Sequence, residues 1–456
     1  MTSRQKNTLT VAMTTAFITS FMGSSLNLAI PNIEAQFGVG ASIVGWVVTA
    51  YMLTTSALNV PFGKIADVTG RRWVIICGIG TFSVASLIGA FSVNIAMLFA
   101  MRVLQGVGAA MIFSTNNAIL MSAFPASERG SVLGKSTAST YIGLSAGPVV
   151  GGLLNGYLGW RSIFITSSLV GLVAFITAVK GLPKVDEPRT GARFDRGGAV
   201  MYIAMILLVM VGLTDLTIAA WAWISLAAGV VVAIVFGRFE MKVQDPVISM
   251  EMLVRDRAFL FSNLATLLNY GATFTVGYLL SIYLQLVMGF SSQVAGLILV
   301  AQPVMQAVFS PSMGKLSDRV PPHKVASCGM GMCVIGLIML TRLTEDTSLV
   351  YVIAILLIMG LGFAVFSSPN VNAIMSRVDP ADFGVANSIV ATMRNLGQTS
   401  SMAVVTILMG MTLGNAALAE VAKDDLMHAI TLTFGIFVIV CAVGIVLSLT
   451  GRREKK

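Results

Sequence analysis

Two arginines lie inside long apolar stretches, where a charged side chain is costly to place. Arg102 is in RVLQGVGAA and Arg394 is in ATMRNLGQTSS. A cation within a membrane span costs about 2.5–3.5 kcal/mol on insertion scales, so it normally faces a cavity or a partner. Arg394 lies far from both ends of its stretch, whereas Arg102 could instead extend to the nearby outer surface. We expect a cavity or interdomain role for both.

A second group of charged residues lies in the short loop GKIADVTGRR at 63–72. Residues 314–324, GKLSDRVPPHK, repeat its glycine, lysine and aspartate, so Asp318 is the counterpart of Asp67 in the repeat. Glycines permit a tight turn and close helix approach, while the basic side chains suit anionic headgroups. On the residues alone, the loop is either a topology anchor or part of a gate.

Acidic residues are missing from the apolar stretches. All 20 Asp and Glu residues lie in loops or near span ends, with Glu34 and Asp215 closest to the membrane. A buried carboxylate is the usual proton carrier and attractor of cationic drugs. We therefore expect a cavity lined by neutral polar groups, with anionic, zwitterionic or neutral substrates favoured over cations. The polar candidates are Asn27, Asn59, Asn116, Asn117, Asn269, Tyr270, Tyr278, Gln302, Gln306, Asn370 and Asn372.

The composition is that of a membrane protein, with 56% hydrophobic and 11% charged residues. Apolar runs of about 20 residues are long enough to cross a bilayer as helices, and they recur along the chain. We predict fourteen spans: 9–31, 43–62, 73–93, 95–118, 131–154, 161–181, 197–214, 219–237, 258–286, 292–311, 324–343, 348–372, 384–409 and 428–450.

Charge distribution sets the predicted orientation. The termini and the loops on the side of GKIADVTGRR hold 24 of the 29 basic residues, and basic loops stay in the cytoplasm. Both termini are therefore predicted to be cytoplasmic, in the cell (inner) membrane. The net charge of +9 is explained by this topology and requires no nucleic-acid partner.

The repeat predicts the domain organisation. Its offset of about 250 residues exceeds six spans, so two spans must be inserted between two parallel halves of six. The predicted domains are an N-terminal six-helix bundle at 1–181, a linker with two extra helices at 182–257, and a C-terminal six-helix bundle at 258–456. The fold class is an all-α polytopic membrane protein.

These motifs resemble those of the major facilitator superfamily. GKIADVTGRR resembles the family loop signature, with Val68 in place of the usual arginine, and RVLQGVGAA resembles its second motif, with Arg102 and Gln105. The resemblance implies that Asp67 faces a helix N-terminus near Gly384 and closes an inner gate. Gly63, Lys64, Gly70, Arg71, Arg72 and Asp318 are the other gate candidates. Lys64, Arg71 and Arg72 could equally be anchors.

The fifth span carries GLSAGPVVGG, which resembles the family's antiporter motif: Gly143, Gly147, Pro148, Gly151 and Gly152. Its small residues form a smooth helix face that allows close packing, and Pro148 can bend the helix. The resemblance implies a seal between the halves, and the alternative is ordinary packing. With fourteen spans, the whole chain resembles the EmrB/QacA-type drug:proton antiporters, in which the counterpart of Arg102 is proposed to transfer protons. Asn27, Arg102, Gln105 and Arg394 are the pathway candidates.

We predict a secondary exporter of amphipathic small molecules that exchanges them for protons, surrounded by lipid and monomeric. An importer or facilitator of an anionic or neutral solute without proton antiport is the alternative. No nucleophile, metal cluster, cofactor site or nucleotide-binding loop is visible, and both histidines lie in loops. These features argue against a membrane enzyme or receptor.

Overall fold

The computed structural model describes residues 1–39, 41–183, 194–214, 220–248, 256–413 and 422–450. This part of the chain is helical throughout. We call the first seven helices the N-terminal set and the next two the inserted hairpin. They are α1 Ser3–Ser25, α2 Ile30–Phe37, α3 Ala41–Thr69, α4 Arg71–Ala90, α5 Ile95–Ala123, α6 Arg129–Leu158 and α7 Arg161–Gly181, then α8 Arg196–Thr214 and α9 Ala220–Glu240.

The remaining helices form the C-terminal set. They are α10 Arg257–Thr273, α11 Val276–Ile282, α12 Ser292–Leu299, α13 Ala301–Leu316, α14 Pro322–Leu340, α15 Leu349–Met375, α16 Phe383–Leu413 and α17 Lys423–Thr450. A short π-helical turn, Tyr283–Val287, continues α11.

Several helix ends are set by local side chains. Thr2 and Gln5 form a capping box at the start of α1. The Asn94 side chain accepts a hydrogen bond from the backbone N–H of Met97 at the start of α5. Gly70 has a φ of 107°, which a side chain would disfavour, and it forms the sharp turn between α3 and α4. This turn positions the charged loop beside the ends of both helices.

Ten helical segments in the described residues are long and apolar enough to cross a membrane. The other predicted spans correspond to α1, α3, α6 and α16. Each of these four helices contributes residues to the central cavity described below.

Helices of each set pack mainly within that set. In the N-terminal set, α1 packs on α6, and α5 packs on α3 and α4. In the C-terminal set, α10 packs on α16 and α17, and α15 packs on α13 and α14. The two sets meet where α6 packs on α13 and where α3 packs on α16. The inserted hairpin lies against α3 and α16, and therefore contacts both sets.

Candidate functional site

Residues 63–72, predicted as a loop, are helical except at Gly70, because α3 continues to Thr69 and α4 begins at Arg71. Asp67 bridges the two sets at the end that carries residues 63–72 and 314–324, which we call the charged end. Its carboxylate accepts hydrogen bonds of 2.9 Å from the backbone N–H groups of Gly384 and Val385 at the start of α16. Arg71 lies 2.8 Å from the same carboxylate and also donates to the carbonyl of Pro380. The family resemblance implied that Asp67 faces a helix N-terminus near Gly384, and the structure places it there, while its gate role stays a prediction. A carboxylate is favoured there by the helix dipole.

Asp318 makes the equivalent contact in the opposite direction. From the C-terminal set, its carboxylate accepts hydrogen bonds from the backbone N–H groups of Gly130 at 2.6 Å and Ser131 at 2.9 Å. These groups are at the start of α6. The repeat in the sequence identifies Asp318, and its structural role follows the same pattern as that of Asp67.

Glycines allow the backbones to approach at both contacts. A Cβ on Gly63 would lie 2.6 Å from the carbonyl oxygen of Gly384, and a Cβ on Gly134 would lie 2.9 Å from the Cα of Pro311. Real side chains do not reach such short distances. The two sets therefore touch backbone to backbone at the charged end.

Phe383 joins the two contacts. The guanidinium carbons of Arg71 and Arg129 lie 5.5 and 5.6 Å from the centroid of its ring, at cation–π distance. Because Arg71 neighbours the Asp67 contact and Arg129 begins α6, the two carboxylate contacts lie at the same end of the molecule. They form one closed assembly.

The other charged-loop candidates are placed differently. Arg72 donates to the carbonyls of Val179 at 3.0 Å and Leu182 at 3.3 Å, so it holds the end of α7 within its own set. Lys64 is buried. Gly70 forms the turn. Asp67 and Arg71 both contact the C-terminal set.

Burial raises the pKa of both bridging carboxyls. For Asp67, desolvation outweighs the opposing effects of Arg71 and the helix N–H groups. For Asp318, desolvation outweighs its hydrogen bonds to Ser131 and Gly130. Each raised pKa reflects burial within the closed assembly, so both carboxyls are more easily protonated there than in water.

A central cavity lies between the two sets. It comprises a wider part of about 310 Å³ and a narrow part of about 70 Å³. Both parts are lined by Phe113, Thr140, Tyr141, Tyr270 and Arg394. The combined volume is within the range of small-molecule sites, about 300–1,000 Å³.

The cavity walls are polar but nearly uncharged. Of the sequence-predicted polar residues, six line it: Asn116, Asn117, Tyr270, Gln302, Gln306 and Asn370. Asn59, Asn269, Tyr278 and Asn372 are not among its lining residues. Tyr141, Asn395 and Gln398 line it and were not predicted, although Asn395 and Gln398 lie close to Arg394 in the sequence.

Arg394 is the single charged residue among the residues that line either part of the cavity. It is half-buried, and its guanidinium carbon lies 5.1 Å from the ring centroid of Phe113, across the boundary between the sets. It forms no ion pair with a carboxylate of the described residues. The cavity role expected for Arg394 agrees with this placement.

Hydrogen bonds between the sets close the cavity on the side of the charged end. Asn117 donates to Asn387 at 2.7 Å, and Asn395 donates to Ser56 at 2.7 Å. Along α16, the Asn387 contact lies between the helix start and Arg394, and the Asn395 contact lies at the level of the cavity. Together with the carboxylate contacts, these hydrogen bonds join the two sets on the side of the charged end.

Arg102 and Gln105 lie away from the cavity, inside the N-terminal set. Arg102 is fully buried. It donates to the carbonyl of Val47 at 3.2 Å and to the Gln105 side chain at 2.8 Å, and it lies over the Tyr51 ring at 4.5 Å. It does not extend to the surface. Tyr51, which lines the cavity, separates it from that space.

The glycine motif of α6 packs against α1. A Cβ on Gly143 would lie 3.1 Å from the backbone nitrogen of Phe21, and a Cβ on Gly151 would lie 2.6 Å from the Cβ of Ser25. Gly147 meets Ser24 and Ser25 in the same way. This contact is within the N-terminal set, while Gly130 and Gly134 of the same helix meet the other set.

Three residues of the predicted antiporter motif and pathway remain: Gly152, Asn27 and Pro148. Gly152 is half-buried. The side chains of Asn27 and Pro148 lie outside the part of the chain that the structure describes.

One contact of the inserted hairpin was not predicted. The Tyr202 hydroxyl on α8 and the Thr392 hydroxyl on α16 are 2.9 Å apart and buried. Thr392 is two residues from Arg394. No sequence motif marks Tyr202, because a single tyrosine in an apolar helix is common.

Comparisons with known proteins agree with this arrangement. A sequence model described as Major Facilitator Superfamily matches residues 12–239 and 263–456. Riboflavin transporter RibZ of Clostridioides difficile (strain 630) is 32% identical over 383 residues, which cover 83% of each chain. Multidrug resistance protein Stp of Mycobacterium tuberculosis (strain ATCC 25618 / H37Rv) is 30% identical over 389 residues, covering 83% of this chain and 71% of Stp.

A solved structure gives the same fold. The crystal structure of the human organic anion transporter MFSD10 (TETRAN) superimposes with a TM-score of 0.71 and covers 97% of this chain and 99% of that one. The identity is 15%, so the likeness concerns the fold alone.

Proposed function

We propose, from the premise that the chain belongs to the Major Facilitator Superfamily, that this membrane transporter exports amphipathic small molecules by alternating access. The observation that carries the proposal is the pair of reciprocal carboxylate contacts beneath a central cavity. These two contacts can form only in a conformation in which the two sets meet at the charged end. Opening the charged end requires Asp67 and Asp318 to leave their helix N-termini.

The proposed topology has fourteen spans, with two six-helix bundles at 1–181 and 258–456 and two additional helices at 182–257. The distribution of basic residues supports a cytoplasmic charged end and cytoplasmic termini. Under this assignment the cavity in the described conformation is closed to the cytoplasm. The inserted hairpin, seated against α3 and α16, supports the assignment to the fourteen-span EmrB/QacA-type family.

Proton antiport is the proposed energy source. No carboxylate is among the cavity-lining residues, so the proton would be carried by Asp67, by a peripheral acid such as Glu34, or by the substrate itself. The same observation favours a second candidate function. A facilitator of anionic or neutral solutes needs no buried acid, and one relative is named a riboflavin transporter.

Uptake into everted membrane vesicles tests the proposal. The probes are ethidium as a cation, riboflavin as a neutral molecule and anilinonaphthalenesulfonate as an anion, each with and without an imposed pH gradient. We expect concentrative uptake of at least one probe that stops when the gradient is collapsed. Vesicles without the protein give the background.

Uptake that only equilibrates the probe, at the same rate in both directions and with no response to the gradient, would support the facilitator. The absence of protein-dependent flux for all three probes would contradict transport of amphipathic molecules. Proton movement out of the vesicles as the probe enters, followed with a pH-sensitive dye, reports coupling independently.

A further inference from the structure

The cavity has an unbalanced charge. Arg394 contributes one positive charge, and none of the other lining residues is ionic. In a partly buried site, an unpaired cation raises the local potential and attracts an anion. The Phe113 ring offsets part of this charge, but it leaves the donors of the guanidinium without a carboxylate among the described residues.

Aromatic side chains form the walls beside Arg394. The Phe363 ring lies 5.2 Å from the Tyr270 ring, at an interplanar angle of 74°, and 6.4 Å from the Tyr141 ring, at 81°. Tyr141 comes from α6 and the other two rings from the C-terminal set, so this cluster spans the boundary between the sets. Aromatic rings arranged edge to face also present faces and edges to a bound planar ring.

Neutral hydrogen-bonding groups surround these rings. Gln302 and Gln306 extend from α13, and Asn395 and Gln398 extend from α16 near Arg394. Amides can donate to and accept from a neutral polar substituent, and they add no charge. They therefore do not change the sign of the potential set by Arg394.

We infer that the cavity binds planar aromatic molecules that carry one negative charge, with Arg394 as the counter-ion. The inference rests on the proposed function, because it takes this cavity as the substrate site. A guanidinium binds a carboxylate or sulfonate through parallel N–H donors, while the ring of the ligand packs against Tyr141, Tyr270 and Phe363. A cationic ligand would meet the like charge of Arg394 with no acid to compensate.

The binding step also affects the contact between the sets. Arg394 is on α16 and Phe113 is on α5, so the cation–π contact joins the two sets at the level of the cavity. An anion that binds the guanidinium competes with the ring for it. Occupancy by an anion is thereby connected to the boundary that must open during transport.

Three probes of similar size separate charge from shape. They are 2-naphthoate, 2-naphthamide and N-methylquinolinium, which present an anionic, a neutral and a cationic bicyclic ring. Dissociation constants are measured by equilibrium dialysis against the purified full chain in nanodiscs, and empty nanodiscs give the correction for partition into lipid. We expect naphthoate to bind about ten-fold more tightly than naphthamide, as for a charge-assisted contact, with methylquinolinium the weakest.

Variants assign the preference to one residue. Arg394→Gln should remove the difference between naphthoate and naphthamide, and Arg394→Lys should keep the order of the three probes. Arg342→Gln, which removes an exposed arginine outside the cavity, is the control for net charge. Because each comparison is a ratio within one preparation, a loss of folded protein affects all three probes equally.

Several results would overturn the inference. They are equal binding of naphthoate and naphthamide by the wild type, tighter binding of methylquinolinium, an unchanged ratio in Arg394→Gln, and no binding of any probe by folded protein. The vesicle uptake assay does not depend on the order of affinities of the three probes. Uptake with no preference for anions would support the proposed transport and contradict only the substrate class. Preferential binding of anions without uptake would support the substrate class and contradict the proposed transport.

Discussion

The same sequence argument applies to Arg102 and Arg394, but the two arginines have different surroundings in the structure. Arg102 has backbone carbonyls, Gln105 and the Tyr51 ring around it, while Arg394 has the Phe113 ring and the open cavity. The cost of a charge in a span predicts that each must face a partner or a cavity. This cost alone does not distinguish the two surroundings, because the carbonyl and the ring that contact Arg102 come from α3, which is distant in sequence.

We predict that Arg102→Gln destabilises the protein and leaves the order of the three probes unchanged. The variant loses charge-assisted hydrogen bonds in a fully buried position, at a cost of about 1.5–3 kcal/mol. The measurement is the thermal unfolding temperature in detergent, with Arg342→Gln as the control. An unaltered unfolding temperature, together with a lost anion preference, would instead assign Arg102 to substrate binding.

The bridging carboxylates provide a second prediction at the same scale. Asp67→Asn keeps an acceptor oxygen but loses the charge that favours a helix N-terminus, so the closed assembly is weakened while each set remains folded. We expect transport to fall by about ten-fold or more, and Asp318→Asn to act similarly. Asp346→Asn, in an exposed loop, should have no effect.

Reactivity of single cysteines in the region that the closed assembly buries provides a direct readout. In Asp67→Asn, a maleimide should react faster with a cysteine at Ser388, which is buried beside Gly63 in the closed assembly. If Asp67→Asn transports at the wild-type rate and the reactivity of the cysteine at 388 is unchanged, residues 63–72 act only as a topology anchor. The motif in the sequence was sufficient to predict the Asp67 contact, whereas the partner of Asp318 required the fold.

At the scale of the helices, polar and small residues mark four of the helices around the cavity. α1, α3, α6 and α16 line the cavity, and α3, α6 and α16 contact the opposite set. Helices such as α9, with large apolar residues exposed along it, have a surface suited to lipid. The sequence therefore predicts that α6 has a smooth glycine face. It does not predict which helix covers that face, because α1 and α13 are both candidates until the bundle is assembled.

We predict that Gly147→Leu abolishes transport. Its side chain would collide with Ser24 and Ser25 of α1, where even a Cβ would lie 3.0 Å from the backbone nitrogen of Ser25. Gly156→Leu is the matched control on the same helix, because a Cβ there meets no atom within 4 Å. Transport rate and the yield of folded protein are measured for both.

The comparison also tests what the motif does. Loss of folded protein in Gly147→Leu alone would indicate that close packing of α6 on α1 is needed for stability. Normal yield with lost transport would indicate a role in the conformational change. Equal tolerance of leucine at both positions would show that the close approach has no consequence.

At the scale of the whole molecule, the contacts between the sets follow one order along α16. Asp67 binds at its start, Asn387 meets Asn117 further along, and Asn395 meets Ser56 near the cavity. The inserted hairpin joins the same helix through Tyr202 and Thr392. The repeat in the sequence anticipates two related halves. It does not indicate which conformation they adopt, since that depends on contacts between residues 187 to 339 positions apart.

We therefore predict that joining residues 117 and 387 locks the transporter. In a variant without the four native cysteines, Asn117→Cys and Asn387→Cys replace a pair of side chains that are 2.7 Å apart in the closed assembly. A short bifunctional thiol reagent should link them and stop transport, and reduction of a cleavable linker should restore it. Since neither residue lines the wider part of the cavity, binding of a ligand in that part should survive the link.

The control links two positions within one set. Thr275 and Ser401 have their hydroxyl oxygens 2.9 Å apart, and both belong to the C-terminal set. Cross-linking Thr275→Cys to Ser401→Cys should leave transport largely unchanged, because residues within a rigid set keep their separation during alternating access. If both links stop transport, movement within the C-terminal set is required. If neither link stops it, the two sets do not separate at the charged end, and alternating access through this boundary is contradicted.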